Sequence, residues 1–283
     1  MPFHLRRGHF VTATFHSESR FSIVAFVLHL IRIRLSTVLC SLLIFMAFSF
    51  QVVAAQQLVD LELVFAADGS GSIDDDELRL QREGYAAALA DSRVLSAIGS
   101  GLHGRIAVAY VEWGGPASQH TIVDWTEIAT SEDARAFGER LVSAPRAAIG
   151  YNSISEAIAY SADLIATNTF EGDRKVIDVS GDGPQIGGRS LDLIRDQTVA
   201  MGITINALVV GNRSAHRGPS GEPLEEHYRF DVIGGLGAFV VVADEASGFT
   251  DTLLGKMIRE IADRTPTGPS QVQFARGSLA PAD

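Results

Sequence analysis

Cysteine is nearly absent from this chain. The one example in 283 residues, Cys40, lies in an N-terminal apolar stretch, where Val38-Leu39 before it lack the small residue a lipoprotein acceptor requires. Beyond residue 55 there is no thiol, which excludes a disulfide framework, a zinc-thiolate site and a cysteine nucleophile. Stability must come from an ordinary apolar core. Basic charge is also scarce. Residues 1–55 hold five arginines (Arg6, Arg7, Arg20, Arg32 and Arg34) and one acid, Glu18. The remainder carries 18 basic residues against 33 acidic ones, a net charge of −15. A surface that negative repels nucleic acid and anionic lipid and suits a cation binder. No internal repeat is visible.

The N-terminal stretch has the order of a secretory signal. Arg32 and Arg34 precede an apolar run from Leu35 to Val53, which closes on Val53-Ala54-Ala55 before Gln56-Gln57. A positive flank, an apolar centre and small residues at the boundary predict cleavage after Ala55 and a periplasmic or secreted product. Left uncleaved, the run is long enough to anchor the chain in a membrane. Residues 56–264 then form one domain, and from Thr265 onward Pro, Gly and Ser predict a disordered tail.

Within the domain, apolar runs alternate with amphipathic stretches. Residues 59–67 form a strand that is apolar on both faces, expected at the centre of a parallel sheet. A helix follows from Asp74 to about Ala90, its first turn carrying Asp74, Asp75, Asp76 and Glu77, acids that suit the positive end of a helix dipole. Arg105–Trp113 and Thr121–Trp125 predict a hairpin, and Ser131–Val142 and Asn152–Ala166 predict helices. Strands at Arg174–Ser180, Ile203–Val210 and Ala238–Ala243 alternate with helices at Ser190–Met201, near Glu225–Ile233 and at Phe249–Asp263. That order describes an α/β fold: a doubly wound, mostly parallel, open sheet flanked by helices.

The chemistry centres on Asp68-Gly69-Ser70-Gly71-Ser72, where the first strand ends. The glycines let the backbone turn tightly enough for three oxygens to converge. Hard oxygen ligands at a strand's C-terminal end suit Mg²⁺ or Ca²⁺. A second acidic loop, Gly181-Asp182-Gly183, follows another strand. In this setting Asp-x-Ser-x-Ser resembles the metal-ion-dependent adhesion site of von Willebrand factor A domains. The resemblance spans residues 58–264. It implies metal ligation by Asp68, Ser70 and Ser72 from the first loop and by Asp182 from the third. The family's middle loop supplies a Thr in Gly-x-Thr-x-x-x-x-Ala-Ile, whereas Gly150-Tyr151-Asn152-Ser153 stands here. Asn152 is therefore the expected ligand and Ser153 its substitute. More narrowly, Val111–Trp113 and Val176–Pro184 resemble a group of secreted bacterial A-domain proteins without assigned function.

The resemblance implies recognition rather than catalysis. Hydroxyls hold Mg²⁺ (or Ca²⁺ or Mn²⁺) directly, carboxylates act partly through water, and a protein ligand's Asp or Glu completes the shell. Other readings lack their residues. A haloacid-dehalogenase-like hydrolase needs an acid two residues after its nucleophile, where Ser70 stands, and another soon after Gly-Asp-Gly, where Pro184-Gln185-Ile186 stand. Phosphate-binding loops need Gly-Lys-Ser/Thr or a third spaced glycine after Gly69 and Gly71. A serine hydrolase needs Gly-x-Ser-x-Gly, and Asp68 occupies the first glycine's place. A further alternative is an A domain that binds through loops such as Gly211–Glu225, with the metal site idle. His103, His120, His216 and His227 show no ligand spacing and are expected on the surface or in loops. Glu112 and Asp178, acids within apolar strands, are expected at a strand edge or beside a local hydrogen-bond partner. Trp113 and Trp125 are expected to pack the hairpin.

The stretch from Met1 to about Leu30 is superfluous to a signal peptide, which points to translation starting near Val27–Leu30 at a non-AUG codon. Mass spectrometry of the expressed protein should then find no peptide from Met1–Arg20. Finding one refutes the later start.

Overall fold

The computed structural model describes residues 26–32, 34–35, 56–211, 217–243 and 248–263. It divides into two units, Met1–Ala55 and Gln56–Asp283. In the first, residues 26–32 are helical. Most of the expected signal segment, its cleavage site, His216 and the tail lie outside the described residues. Among those described, no helix is long and apolar enough to cross a membrane.

In the second unit β1 (Gln57–Val59) and β2 (Glu62–Asp68) lead to α1 (Asp75–Leu89) and α2 (Ser92–Gly99). The hairpin β3 (Ile106–Trp113) and β4 (Gln119–Ile128) precedes α3 (Ser131–Ser143) and α4 (Ile154–Thr167). Then come β5 (Phe170–Gly172), β6 (Lys175–Gly181), α5 (Leu191–Ala200) and β7 (Ile203–Val210). A short α6 (Leu224–His227) runs into a π-helical turn, Tyr228–Val232, before β8 (Val240–Ala243) and α7 (Phe249–Ala262). The main sheet has the order β4-β3-β2-β6-β7-β8. Every pairing is parallel except β3 with β4. From β2 the chain moves first to one neighbour, β3, and later to the other, β6. The ends of these strands therefore flank the crevice where doubly wound sheets bind ligands.

Sequence periodicity accounts for the layers. Along β2, Leu63, Phe65 and Ala67 enter one core with Tyr85, Tyr110, Phe137 and Met257. Val64 and Ala66 enter the other with Trp113, Ile158, Val179 and Tyr228. All seven residues of β2 are buried, as a central parallel strand requires. Helix starts follow capping chemistry. Asp74 and Glu77 form a capping box on α1, and Thr130, rather than Ser131, forms one with Asp133 on α3.

Three elements depart from the expectation. The run 59–67 is broken at Asp60, whose carboxylate accepts the backbone N–H groups of His103 (2.9 Å) and Arg105 (3.2 Å). This frees β1 to pair with β5 in a separate two-stranded sheet. Neither β5 nor α2 was expected: three and eight residues are too short to show a period. Trp113 packs across the sheet rather than within the hairpin, donating its indole N–H to Ala66 O at 2.9 Å. Trp125 donates to Leu164 O at 3.3 Å.

Glu112 and Asp178 sit in the sheet interior, away from its edges, each opposite a cation from a helix. Arg82 of α1 lies 2.6 Å from Glu112. Lys256 of α7 lies 2.5 Å from both Asp178 and Glu260, and Asn206 donates to Glu260 at 2.9 Å. Burial pushes Glu260 up to about 7, with the Asp178 charge adding to it. Burial alone would lower Lys256, but its two carboxylates more than reverse that.

The folded protein thus keeps a proton on Glu260 that the unfolded chain has released above about pH 4.5. Stability should fall as pH rises from that value to about 7, then level off. Urea unfolding at about pH 5 and about pH 7.5 checks this: Glu260→Gln should make the decline shallower without abolishing it, because burial also raises Asp68 to about 7 and raises Asp178. Lys256→Met, which strands two buried acids, should cost about 3–5 kcal/mol. An unchanged slope in Glu260→Gln would show that this proton lies elsewhere.

Candidate metal centre

The site is built at the C-terminal ends of β2 and β6 and at the start of α4. Asp68, the last residue of β2, is 1% exposed. Its Oδ1 accepts the Ser70 backbone N–H at 2.8 Å, closing the tight turn. Its Oδ2 is buried with no hydrogen-bond partner. Ser70, fully buried, brings its Oγ to 2.9 Å from Ser72 Oγ. Ser72 Oγ in turn donates to Asp182 Oδ1 at 3.2 Å. The first and third loops therefore meet through one chain of hydroxyls and carboxylates.

The middle loop is joined to both. Gly71 N–H donates to Gly150 O at 2.8 Å, Ser153 N–H to Gly114 O at 2.8 Å, and Ile186 N–H to Asn152 O at 2.6 Å. Asn152 is 6% exposed, and its side-chain Oδ1 is buried without a partner. Its amide nitrogen lies against the Gly183 Cα. A Cβ at residue 183 would fall 1.8 Å from Asn152 Nδ2, so the glycine beside Asp182 is what admits asparagine here. Ser153 is committed elsewhere, since its hydroxyl donates to Gly187 O at 3.3 Å.

Asp68, Ser70, Ser72 and Asp182 are thus linked in one chain of contacts, Asn152 lies against the glycine that follows Asp182, and the Ser153 hydroxyl turns to Gly187. The donor set suits a hard divalent cation: two carboxylates, two hydroxyls and one amide oxygen. Two of these oxygens, Asp68 Oδ2 and Asn152 Oδ1, are buried and unpaired, which buried polar atoms in folded proteins rarely are. Burial pushes Asp68 up to about 7. The Ser70 N–H opposes this and the nearby Asp182 charge adds to it.

Several supporting residues carried no sequence signal. Arg146 Nη2 donates to the carbonyls of Gly69, Ser70 and Ile73 at 3.1, 2.8 and 2.7 Å, gathering the first loop around one guanidinium. Gln81 donates to Asp68 O at 3.0 Å. Tyr228 donates to Gly183 O at 3.1 Å. His227, expected on the surface, is 2% exposed and supports the third loop. Its Nε2 accepts the Gln185 N–H at 3.2 Å, so Nδ1 carries the proton and donates it to Asp231 at 2.8 Å. Glu222, His227 and Asp231 bring ligand-type atoms within 4.8 Å of one another. A protonated Nδ1 has no lone pair for a metal, however, so in this arrangement the group is a hydrogen-bonded brace.

Comparison with known proteins places the chain in a family. Residues 58–265 match DUF1194, described as a protein of unknown function. No curated protein matches the chain. Among solved structures, the pilus adhesin SpaC from Lactobacillus rhamnosus GG superimposes with a TM-score of 0.52 and 12% identity, over 73% of this chain and 31% of that one. Proximal thread matrix protein 1 from the mussel byssus, with a zinc-occupied MIDAS motif, gives 0.47 and 16%, over 75% and 46%. The von Willebrand factor type A protein from Catenulispora acidiphila gives 0.49 and 16%, over 73% and 42%. This chain spans less than half the length of each. Identities this low speak for the fold alone. The fold is shared with the pilus adhesin, and by the match across residues 58–265 the chain belongs to the DUF1194 family.

Proposed function

We propose that this protein is a secreted or periplasmic, non-catalytic recognition domain. It binds a divalent cation (Mg²⁺, or Ca²⁺ or Mn²⁺) through Asp68, Ser70, Ser72, Asn152 and Asp182, and through that cation a protein ligand's Asp or Glu. The observation that carries the reading is the pair of buried, unpartnered oxygens, Asp68 Oδ2 and Asn152 Oδ1, on two loops that converge with Asp182. A bound cation supplies positive charge and a coordination position for an incoming carboxylate. The chain's own part is to hold the ligands rigid and to grade their exposure. Asp68 and Ser70 are buried, Asp182 is intermediate and Ser72 is exposed, so the ligand set opens outward on one side only. That opening is where a partner would reach the ion.

Calorimetric titration of Mg²⁺, Ca²⁺ and Mn²⁺ into metal-stripped protein tests the site. Saturable binding that Asp68→Ala abolishes is expected, with circular dichroism showing the variant folded. No binding by the folded wild type refutes the reading, and turnover of phosphate or ester substrates that Asp68→Ala removes would establish the hydrolase instead.

A second prediction follows from the proton on Asp68. Its pKa near 7 in the metal-free protein means that a cation must displace that proton at lower pH. Apparent affinity should fall roughly tenfold per pH unit below about 7 and be flat above about 8. Titration in buffers of different ionisation enthalpy should show about one proton released per ion at about pH 6 and almost none at about pH 8. Equal release at both values refutes the assignment.

A further inference from the structure

Three large apolar side chains stand in solvent on the loops that carry the site. Ile149 is 73% exposed, Tyr151 66% and Ile186 50%. Scattered exposed apolar residues need no explanation, but several around one polar site do. None of the three sits on a free loop tip. Ile149 O accepts the Gly115 N–H at 2.8 Å, and the next residue's carbonyl, Gly150 O, accepts from Gly71. Tyr151 directly precedes Asn152, and its ring edge lies 3.7 Å from where a Cβ on Gly71 would be. Ile186 donates its N–H to Asn152 O. The backbone bonds that join the loops of the candidate site therefore also anchor these three exposed residues beside it.

Charge around the rim is uneven. After Ser72 and Ile73 come Asp74, Asp75, Asp76 and Glu77, all exposed at the start of α1. Arg146 meets Asp75 at 3.0 Å and Arg79 meets Asp76 at 3.1 Å, which among the described residues leaves Asp74 and Glu77, the capping-box pair, without a cation. A ligand rich in acids would be repelled there. One carboxylate placed among apolar groups would meet the ion and the collar together, without facing those acids.

We propose that Ile149, Tyr151 and Ile186 form an apolar collar that selects a protein ligand whose single Asp or Glu is flanked by apolar or aromatic side chains. This rests on the metal-binding reading above and adds the partner's chemistry to it. The backbone beneath the collar is held before the ligand arrives, so little main-chain ordering opposes the apolar contacts. The ion supplies direction and the collar supplies discrimination between one acidic segment and another.

The test uses blocked tripeptides and the Mg²⁺-loaded protein, with binding followed by NMR. N-acetyl-Phe-Asp-Leu-amide should bind at least tenfold more tightly than N-acetyl-Gly-Asp-Gly-amide, and N-acetyl-Phe-Asn-Leu-amide should not bind measurably. In the triple variant Ile149→Ser, Tyr151→Ser, Ile186→Ser the tenfold preference should vanish while Mg²⁺ affinity, measured separately, stays unchanged. Equal binding of the two Asp peptides to the wild type, or a preference that survives in the variant, overturns the collar and leaves the metal site standing. Failure to bind Mg²⁺ overturns both. Collar-dependent, Mg²⁺-independent binding to vesicles of phosphatidylcholine with one-fifth phosphatidylserine would replace the protein ligand with a membrane.

Discussion

Asp68 ends the central strand with one carboxylate oxygen bonded to the Ser70 amide and the other unpaired in the interior. A buried acceptor without a partner costs about 1–3 kcal/mol, more if it is charged. Much of the surrounding structure serves to keep that group where it is. Gln81 holds the Asp68 carbonyl, and Arg146 holds the three carbonyls that follow in the turn. Trp113 ties β3 to the carbonyl two residues earlier, at Ala66. The strand end cannot relax to hydrate its carboxylate without giving up these bonds.

The same strategy recurs in the strand interiors. Two acids that would otherwise be isolated in an apolar sheet are each met by a helix-borne cation, Arg82 for Glu112 and Lys256 for Asp178. Arg82 also donates to the carbonyls of Ala144 and Pro145, just past the end of α3. One side chain therefore links α1, β3 and the approach to the middle loop. Replacing such a pair with apolar residues is often neutral for stability. Here, though, the pairs fix how α1 and α7 sit on the sheet, and α1 begins directly after the first loop.

The main sheet was legible because its strands are long apolar runs separated by helical periods, and because a buried strand that ends in Asp-Gly-Ser-Gly-Ser allows few other readings. Asp68, Ser70, Ser72 and Asp182 stood out as candidates for the same reason, at the ends of two strands, whereas Asn152 was named through the resemblance alone. The supports were not legible. Arg146 is one arginine among many, and nothing local marks it as the side chain that gathers a loop whose Ser70 lies 76 residues earlier in the chain. His227 was misplaced because burial depends on how α6 packs under the third loop, a contact across 42 positions of sequence. The Asn152–Gly183 fit was visible only as a departure from the family pattern. Once the two loops face each other, the missing side chain at 183 makes room for the longer amide at 152.

The domain is polar in the geographic sense. Chain enters β2 at Glu62, paired with Lys175 at the start of β6. Arg174, one residue earlier, holds the final carbonyls of α7, Glu260 and Ile261, at 2.7 and 3.0 Å. Both ends of the fold thus meet near the N-terminal ends of the central strands, while the candidate metal centre lies at their C-terminal ends. A seven-residue strand at roughly 3.3 Å per residue separates the two by about 20 Å. The first and last described elements of the domain, β1 and α7, therefore leave its termini on the side away from the candidate metal centre.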